Sequence, residues 1–243
     1  QTIALAMGRP GREVWPEIWD AIGPLFEAVQ RTGEGVWQED QLLPMNRHGY
    51  TEECYFNFTF SPIRGENGTV EGIFNAVVET TYRVIEERRE KTLRELAERI
   101  ASARSEEDVM TLAAQVLGNR PEDVPFCLFY RLKADGSQAE LVARAGLDVE
   151  AYAPSAIAAG DNAALWSIDR LVASEVPVIV DNVNDLFRNK PASRAWPEAV
   201  ERALMIPIGV NASAHAPFGF LTCGISPRRE LDTEYVSFLG RAA

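Results

Sequence analysis

Residues 55–74 read Tyr-Phe-Asn-Phe-Thr-Phe-Ser-Pro-Ile-Arg-Gly-Glu-Asn-Gly-Thr-Val-Glu-Gly-Ile-Phe. From Tyr55 to Phe60 aromatic and polar residues nearly alternate, and a period of two marks a strand with one buried face. The whole strand is read as Glu53–Ile63. Gly65-Glu66-Asn67-Gly68 makes a tight turn, Asn-Gly being the strongest short-range hairpin signal. Val70–Thr80, rich in Val, Ile and Phe, is the returning strand. Upstream, Val36–Met45 reads as a further strand, ended by the turn-like Asn46-Arg47-His48-Gly49. These segments predict an antiparallel meander with one buried face. Ahead of it, Arg9–Thr32 reads as helix and turn. Trp15, Ile18, Trp19, Ile22 and Phe26 recur at three- and four-residue steps until Gly33 and Gly35 break the pattern.

Beyond the meander the composition changes abruptly. Tyr82–Ala103 has no Gly or Pro and is dense in Glu, Arg and Leu. Tyr82, Ile85, Arg89, Leu93, Leu96 and Ile100 form a helical stripe. Glu87 with Lys91, Glu90 with Arg94 and Glu95 with Arg99 are acid-before-base pairs four apart, the helix-favouring order. The stripe has two readings: a short seam between two copies, with Leu93, Leu96 and Ile100 at its centre, or a face packed on its own domain. In the seam, Arg89 needs an acid from the second copy or must reach solvent.

Ser105-Glu106-Glu107-Asp108 starts a fresh helix with Ser105 as its cap, and Gly118 and Pro121 close it. Phe126–Leu132 and Glu140–Ala145 read as strands around the turn Ala134-Asp135-Gly136-Ser137. Ala163–Ala173 reads as helix and Pro177–Val180 as a short strand. Leu204–Val210 and Phe218–Ser226 read as two more strands around the loop Asn211–Pro217. Asp232–Arg241 is a closing helix capped by Asp232. The expected fold class is α+β, two domains with central antiparallel sheets joined by a long helix. The expected divisions are residues 1–81, a connecting helix 82–103, and residues 104–243.

The bulk numbers exclude several function classes. The 243 residues suffice for two ordinary domains, and no apolar run is long enough to span a bilayer. Thr2–Met7 is apolar but lacks the basic start of a signal peptide. Gln1 at the start, and a helix-like pattern still running at Ala243, lead us to expect a piece of a longer chain. A net charge of −12 disfavours nucleic acid and anionic lipid as partners. Cys54, Cys127 and Cys223 are odd in number and lie in apolar runs, as reduced core thiols of a cytoplasmic protein do. The two histidines, His48 and His215, and the cysteines supply no cluster of close-spaced zinc ligands, His48 with Cys54 being the nearest to a pair.

The first third of the chain resembles the later half of a PAS domain, of the group found ahead of bacterial sensor histidine kinases. The resemblance is carried by Gly8-Arg9-Pro10-Gly11 with Trp15 and Trp19, and by Tyr55–Phe60 with a turn at Ser61-Pro62-Ile63-Arg64. Gly68-Thr69-Val70-Glu71-Gly72-Ile73-Phe74 and the exit Glu79-Thr80-Thr81 complete it. A complete PAS domain would begin with two further strands and a short helix, which we expect to be missing here or only hinted at by Thr2–Ala6. Residues from about Arg104 onward resemble a GAF domain in the opening helix, Phe126–Leu132, Pro177–Asp181, Ala203–Ile208 and Pro217–Ile225.

The resemblance implies a sensory module of a two-component phosphorelay. It would bind a small molecule or partner, form a homodimer, and relay its state to a kinase outside this chain. The same module could instead precede a protein phosphatase or a cyclic-dinucleotide enzyme. No phosphate-binding loop or G-x-S-x-G elbow occurs. Neither His48, followed by Gly49-Tyr50, nor His215, followed by Ala216-Pro217, has the surroundings of a phosphoacceptor. Asn189-Lys190, followed at once by Pro191, does not continue into a cyclic-nucleotide signature. Cys127 and Cys223 lack the following His of a bilin attachment site. The sequence therefore assigns no catalytic residue and no metal ligand, and names no cofactor or cofactor-binding residue.

Overall fold

The computed structural model describes residues 6–147, 152–161, 166–174, 176–183, 193–209 and 217–243. The chain divides into two compact units, Gln1–Arg88 and Arg89–Ala243. Among the described residues no helix is long and apolar enough to cross a membrane.

The first domain opens with helix α1 (Gly11–Val14), a 3-10 turn (Pro16–Ile18) and helix α2 (Trp19–Thr32). Gly33 ends α2 in the left-handed conformation, φ 70°, which an L side chain adopts only with strain. Strand β1 (Val36–Leu42) follows, then a small hairpin of β2 (Met45–Asn46) and β3 (Thr51–Glu52). β4 (Tyr55–Arg64) and β5 (Val70–Glu79) complete an antiparallel sheet in the order β1-β4-β5. Phe58 and Phe60 on the inner face of β4 pack with Ile18, Ile22 and Val29 to make the core.

Two sequence readings change here. Val36–Met45 is not one strand: it breaks at Leu43-Pro44, and Met45 pairs with Glu52 in the separate hairpin. Ser61–Arg64 is not a turn but the end of β4, with Ser61 opposite Phe74 and Pro62 opposite Ile73. Proline is tolerated there because β1 reaches only Phe60, so the side of β4 where Pro62 lacks an N–H needs no ladder bond.

Helix α3 (Thr81–Ile100) leaves the first sheet, and the boundary between the units falls inside it. The second domain continues with α4 (Glu106–Gly118), β6 (Cys127–Leu132), β7 (Gln138–Ala145), β8 (Ala156–Ala158), α5 (Ile168–Ser174), β9 (Val178–Val180), β10 (Ala203–Ile208), β11 (Gly219–Gly224) and α6 (Thr233–Ala242). Among the described residues its six strands form an antiparallel sheet in the order β8-β7-β6-β11-β10-β9. Both expected caps are made: Ser105 Oγ accepts from the Asp108 N–H at 3.1 Å, and Asp232 Oδ1 from the Tyr235 N–H at 2.7 Å.

Core lies on both faces of this sheet. Leu128, Tyr130, Met205 and Phe220 pack on one side with Trp166, Ile168 and Leu171. Cys127, Phe129, Leu204, Leu221 and Cys223 pack on the other with α4, α6 and Leu96 of α3. The expected helix over Ala163–Ala173 begins only at Ile168. Residues 162–165 lie outside the described set, and Trp166 is fully buried with its Nε1 donating to the Tyr152 carbonyl at 3.0 Å. That anchor fixes the chain ahead of the helix.

Candidate functional site

The helix face carrying Trp15, Ile18, Trp19, Ile22 and Phe26 does not fill the concave side of the first sheet completely. A cleft of about 250 Å³ remains, walled by these residues and by Leu43 and Met45, floored by Phe56, Phe58 and Phe60, and rimmed by Asn75 and Val77 of β5. Phe26 stands between Trp19 and Phe60, with ring centroids 5.6 and 4.1 Å away. Two glycines make room for Trp19. A Cβ at Gly11 would meet the indole at 3.0 Å, and one at Gly23 would meet its Nε1 at 2.8 Å. Gly11 of the Gly-Arg-Pro-Gly motif thus serves close packing at the cleft. The outer face of the sheet is also apolar in part, with Trp37, Ile63, Phe74 and Val78 exposed.

A second feature sits where the sheet hands over to α3. Arg47 forks onto Glu79, at 2.8 and 3.0 Å, and also reaches Glu52 at 2.9 Å and Cys54 Sγ at 3.0 Å. The Glu79 carboxylate raises the Arg47 pKa, so the guanidinium stays charged at any working pH. Thr81 Oγ1 donates to Glu79 at 2.8 Å and accepts from the Tyr55 N–H at 2.9 Å. Glu53, fully buried, receives Arg88 at 2.6 Å and the Tyr55 hydroxyl at 2.8 Å. Burial, then the Glu53 charge, push the Tyr55 phenol pKa up.

Asp40 completes the junction. It has φ 48°, unusual for a non-glycine residue, at a bulge where β1 slips register against β4 between Gln38 and Gln41. Its N–H donates to Asn57 Oδ1 at 2.7 Å, and its carboxylate receives Thr80 Oγ1 at 2.8 Å and Arg83 of α3. The Arg83 hydrogen bond, then that of Thr80, hold the Asp40 carboxyl below the ordinary carboxylate range. Glu79-Thr80-Thr81 was legible as an exit. Arg47, Asp40 and Glu53 were not singled out, although an acidic residue inside a strand pattern is uncommon enough to be a signal.

In the second domain the stripe on α3 resolves in favour of intradomain packing. Leu96 is buried in the core beside α4 and α6, and Leu93 and Ile100 pack against it. Arg89, 5% exposed, neither reaches solvent nor needs an acid from a second copy. Its Nε donates to Asp123 at 3.2 Å, and its guanidinium lies 4.2 Å over the Tyr235 ring. Tyr235 in turn donates to the Asp123 carbonyl and accepts from the Ser226 N–H at 3.1 Å. Glu87 pairs with Arg83, and Glu95 with Arg120 at the end of α4.

The residues weighed for chemistry are dispersed. His48 is exposed, 3.9 Å from Glu52, while Cys54 faces Arg47 rather than the imidazole. His215 and Asn189-Lys190-Pro191 lie outside the described residues. Cys127 and Cys223 sit opposite each other on β6 and β11 as free buried thiols. Burial pushes the Cys127 thiol up to about 12 and the Cys223 thiol well above its usual value. Among the described residues no group of three or more His, Cys, Asp or Glu could hold a metal ion.

Comparison with known proteins matches part of the chain to a family model. Residues 4–85 match the family model described as the PAS fold. Similar solved structures include the GAF domain of an Acinetobacter phosphoenolpyruvate-protein phosphotransferase, at 18% identity and TM-score 0.46, covering 64% of this chain and 87% of that one. The corresponding Coxiella burnetii GAF domain gives 17% identity and TM-score 0.46, over 63% and 86% of the two chains. The Stigmatella aurantiaca phytochrome photosensory core module gives 13% identity and TM-score 0.44, over 100% of this chain and 50% of that one.

Proposed function

We propose that this chain is a PAS–GAF sensory module of a bacterial sensor histidine kinase. A small molecule in the cleft of the first domain biases the junction at Glu79–Thr81. Helix α3 carries that bias into the second domain, and a kinase outside this chain reads it. The single observation that supports the reading best is that α3 belongs to both domains. Arg83 and Arg88 tie its first turns to Asp40 and Glu53, whereas Leu96 is buried in the second core. A population shift of this kind needs only a few kcal/mol of differential binding.

The second domain is read as GAF from its sequence pieces and its antiparallel sheet with α4 and α6 on one face. Its role is regulatory rather than catalytic, in a cytoplasmic protein. The division into sensor (1–81), connector (82–103) and second sensor (104–243) follows from this. The module works as a homodimer. Because Leu96 is buried in the second domain with Leu93 and Ile100 packed against it, the dimer contact does not centre on those three side chains.

Native mass spectrometry of the purified chain identifies any co-purified small molecule, and hydrogen–deuterium exchange with and without it tests the relay. The expected result is a change in exchange across residues 79–88 that Arg47→Gln abolishes. Ligand binding with no change there overturns the relay. Incubation with labelled ATP and Mg²⁺ leaves this chain unlabelled. In the longer protein, label on a histidine supports the kinase output, and its absence favours a phosphatase or cyclic-dinucleotide enzyme. Sedimentation equilibrium reads the dimer directly.

A further inference from the structure

The lining of the cleft specifies what it can bind, an inference that rests on reading the cleft as a ligand site. Not one of its lining side chains is charged. A carboxylate or ammonium placed among Trp19, Phe26, Phe58 and Phe60 would lose its hydration with no counter-charge in the wall. The chain's net charge of −12 weighs further against an anion. A charged group buried among these rings is thereby disfavoured, which weighs against dicarboxylates and amino acids as occupants. The rings favour a flat partner, because aromatic faces gain from offset stacking beyond the area they bury.

Size narrows the class again. The cleft measures about 250 Å³. A protein cavity of roughly 150 Å³ takes one benzene ring, so this one has room for about two fused rings. One polar side chain gives direction. Asn75, opposite Phe60 on β5, is the only side chain in the lining with both a hydrogen-bond donor and an acceptor. None of the described residues occupies its carboxamide. A carboxamide is satisfied best by a group that also donates and accepts side by side.

We propose that the cleft binds a neutral, flat molecule of about two fused rings carrying one ring amide, which pairs with the Asn75 carboxamide while the rings lie against Trp19, Phe26 and Phe60.

Calorimetric titration of the whole chain with quinolin-2-one, a neutral bicyclic lactam, tests this, with quinoline-2-carboxylate as the charged comparator. Quinolin-2-one should bind, and the carboxylate should bind at least about tenfold more weakly. Asn75→Leu lies on an exposed strand and leaves the core intact. It should weaken quinolin-2-one by about three- to tenfold, the effect of one or two neutral hydrogen bonds. Val77→Trp, also on the exposed rim, should block the mouth and abolish binding. Failure of quinolin-2-one to bind, equal binding of the carboxylate, or unchanged affinity in Asn75→Leu each overturns the proposed ligand class. If in that case Val77→Trp still abolishes binding of a co-purified molecule, the cleft remains the ligand site and only the class is wrong. If Val77→Trp leaves quinolin-2-one binding untouched, the cleft is not where it binds and both readings fall.

Discussion

The two sheets of this protein use their apolar residues in opposite ways. In the second domain every residue of β11 is buried, as are Cys127, Leu128, Phe129 and Tyr130 in succession on β6. A strand buried on both faces reads as a continuous apolar run, and both cores draw on it. In the first domain β5 is exposed from Phe74 to Glu79 although it carries Phe74, Val77 and Val78. One sheet spends its apolar surface on its own stability. The other keeps a cleft on one face and exposed apolar residues on the other, open to solvent. Helix α3 shows the same contrast along its length. Ion pairs with Asp40 and Glu53 hold its start, and burial of Leu96 holds its end.

The contrast breaks most visibly at Leu96. Leu96→Asp buries an unpaired charge and should cost the second domain more than about 4 kcal/mol, enough to unfold it. Urea titration followed by tryptophan fluorescence should then lose the transition reported by Trp166 and Trp196 and keep the one reported by Trp15, Trp19 and Trp37. Loss of both together would mean that the two domains fold as one. A shift from dimer to monomer with both domains intact would restore the seam between copies.

Arg89 comes next. Arg89→Met strands Asp123 in the core and should cost about 3–5 kcal/mol. Adding Asp123→Leu should recover much of that loss, because the buried carboxylate that Arg89 compensated is removed. A double mutant no better than the single would show that the stacking on Tyr235, rather than the ion pair, carries the stability. In the first domain Glu53→Gln weakens the bonds to Arg88 and Tyr55 and should cost about 2 kcal/mol. It should also raise amide exchange across residues 81–88 while residues 93–100 stay protected. Equal loosening along the whole helix would erase the distinction between its two ends.

The pH dependence separates the domains more gently. Cys127 is raised to about 12 in the folded state, so the unfolded chain loses its thiol proton first. That contribution is fully present below the unfolded value of about 8.5 and declines as pH rises from there toward about 12. Urea midpoints of the second domain between pH 7 and 10.5 should show the decline, and native Cys127 should not react with a thiol reagent at pH 8. Asp40 has the opposite sign: its folded carboxyl is depressed, so its contribution is present above about 4 and lost as pH falls through the folded value. Because Arg83 and Asp40 face solvent, Arg83→Ala should leave the urea midpoint unchanged within error at moderate salt. A clear loss would mean that this end of α3 is as firmly held as the other.

Periodicity alone located most of the elements. The alternation in Tyr55–Phe60, the Asn-Gly turn and the Gly-free run after Thr81 depend on local backbone preferences, which a sequence displays directly. The same holds for the Ser105 and Asp232 caps, whose side chains bond backbone three residues away. Readings failed where a distant contact overrode the local signal. Pro62 suggested a turn, yet β4 continues through it because β1 stops at Phe60. Ala163–Ala173 had helical composition, but the buried Trp166 precedes a helix that begins at Ile168. The candidate site was half legible. Trp15, Trp19 and the aromatic strand were singled out as fold markers, but a cleft is the space left between helix and sheet, and no one-dimensional pattern contains a space.

What the sequence by itself determined is therefore the inventory: two α+β domains, a long helix at the change of composition, buried thiols and an acidic surface. These follow from residue type and spacing, which act locally or on average. The tertiary structure alone decided which partner each ambiguous residue takes. Arg89 lay on an apolar stripe with two possible fates, and Asp123, 34 residues further on, settled it. Leu93, Leu96 and Ile100 had the spacing of a seam between copies, and the second core claimed them. Asp40 was one acid among many until a bulge and a positive φ aimed it at Thr80 and Arg83. Amphipathic periodicity says that a face will be buried, but burial is a contact between distant parts of the chain, and only the folded arrangement specifies against what.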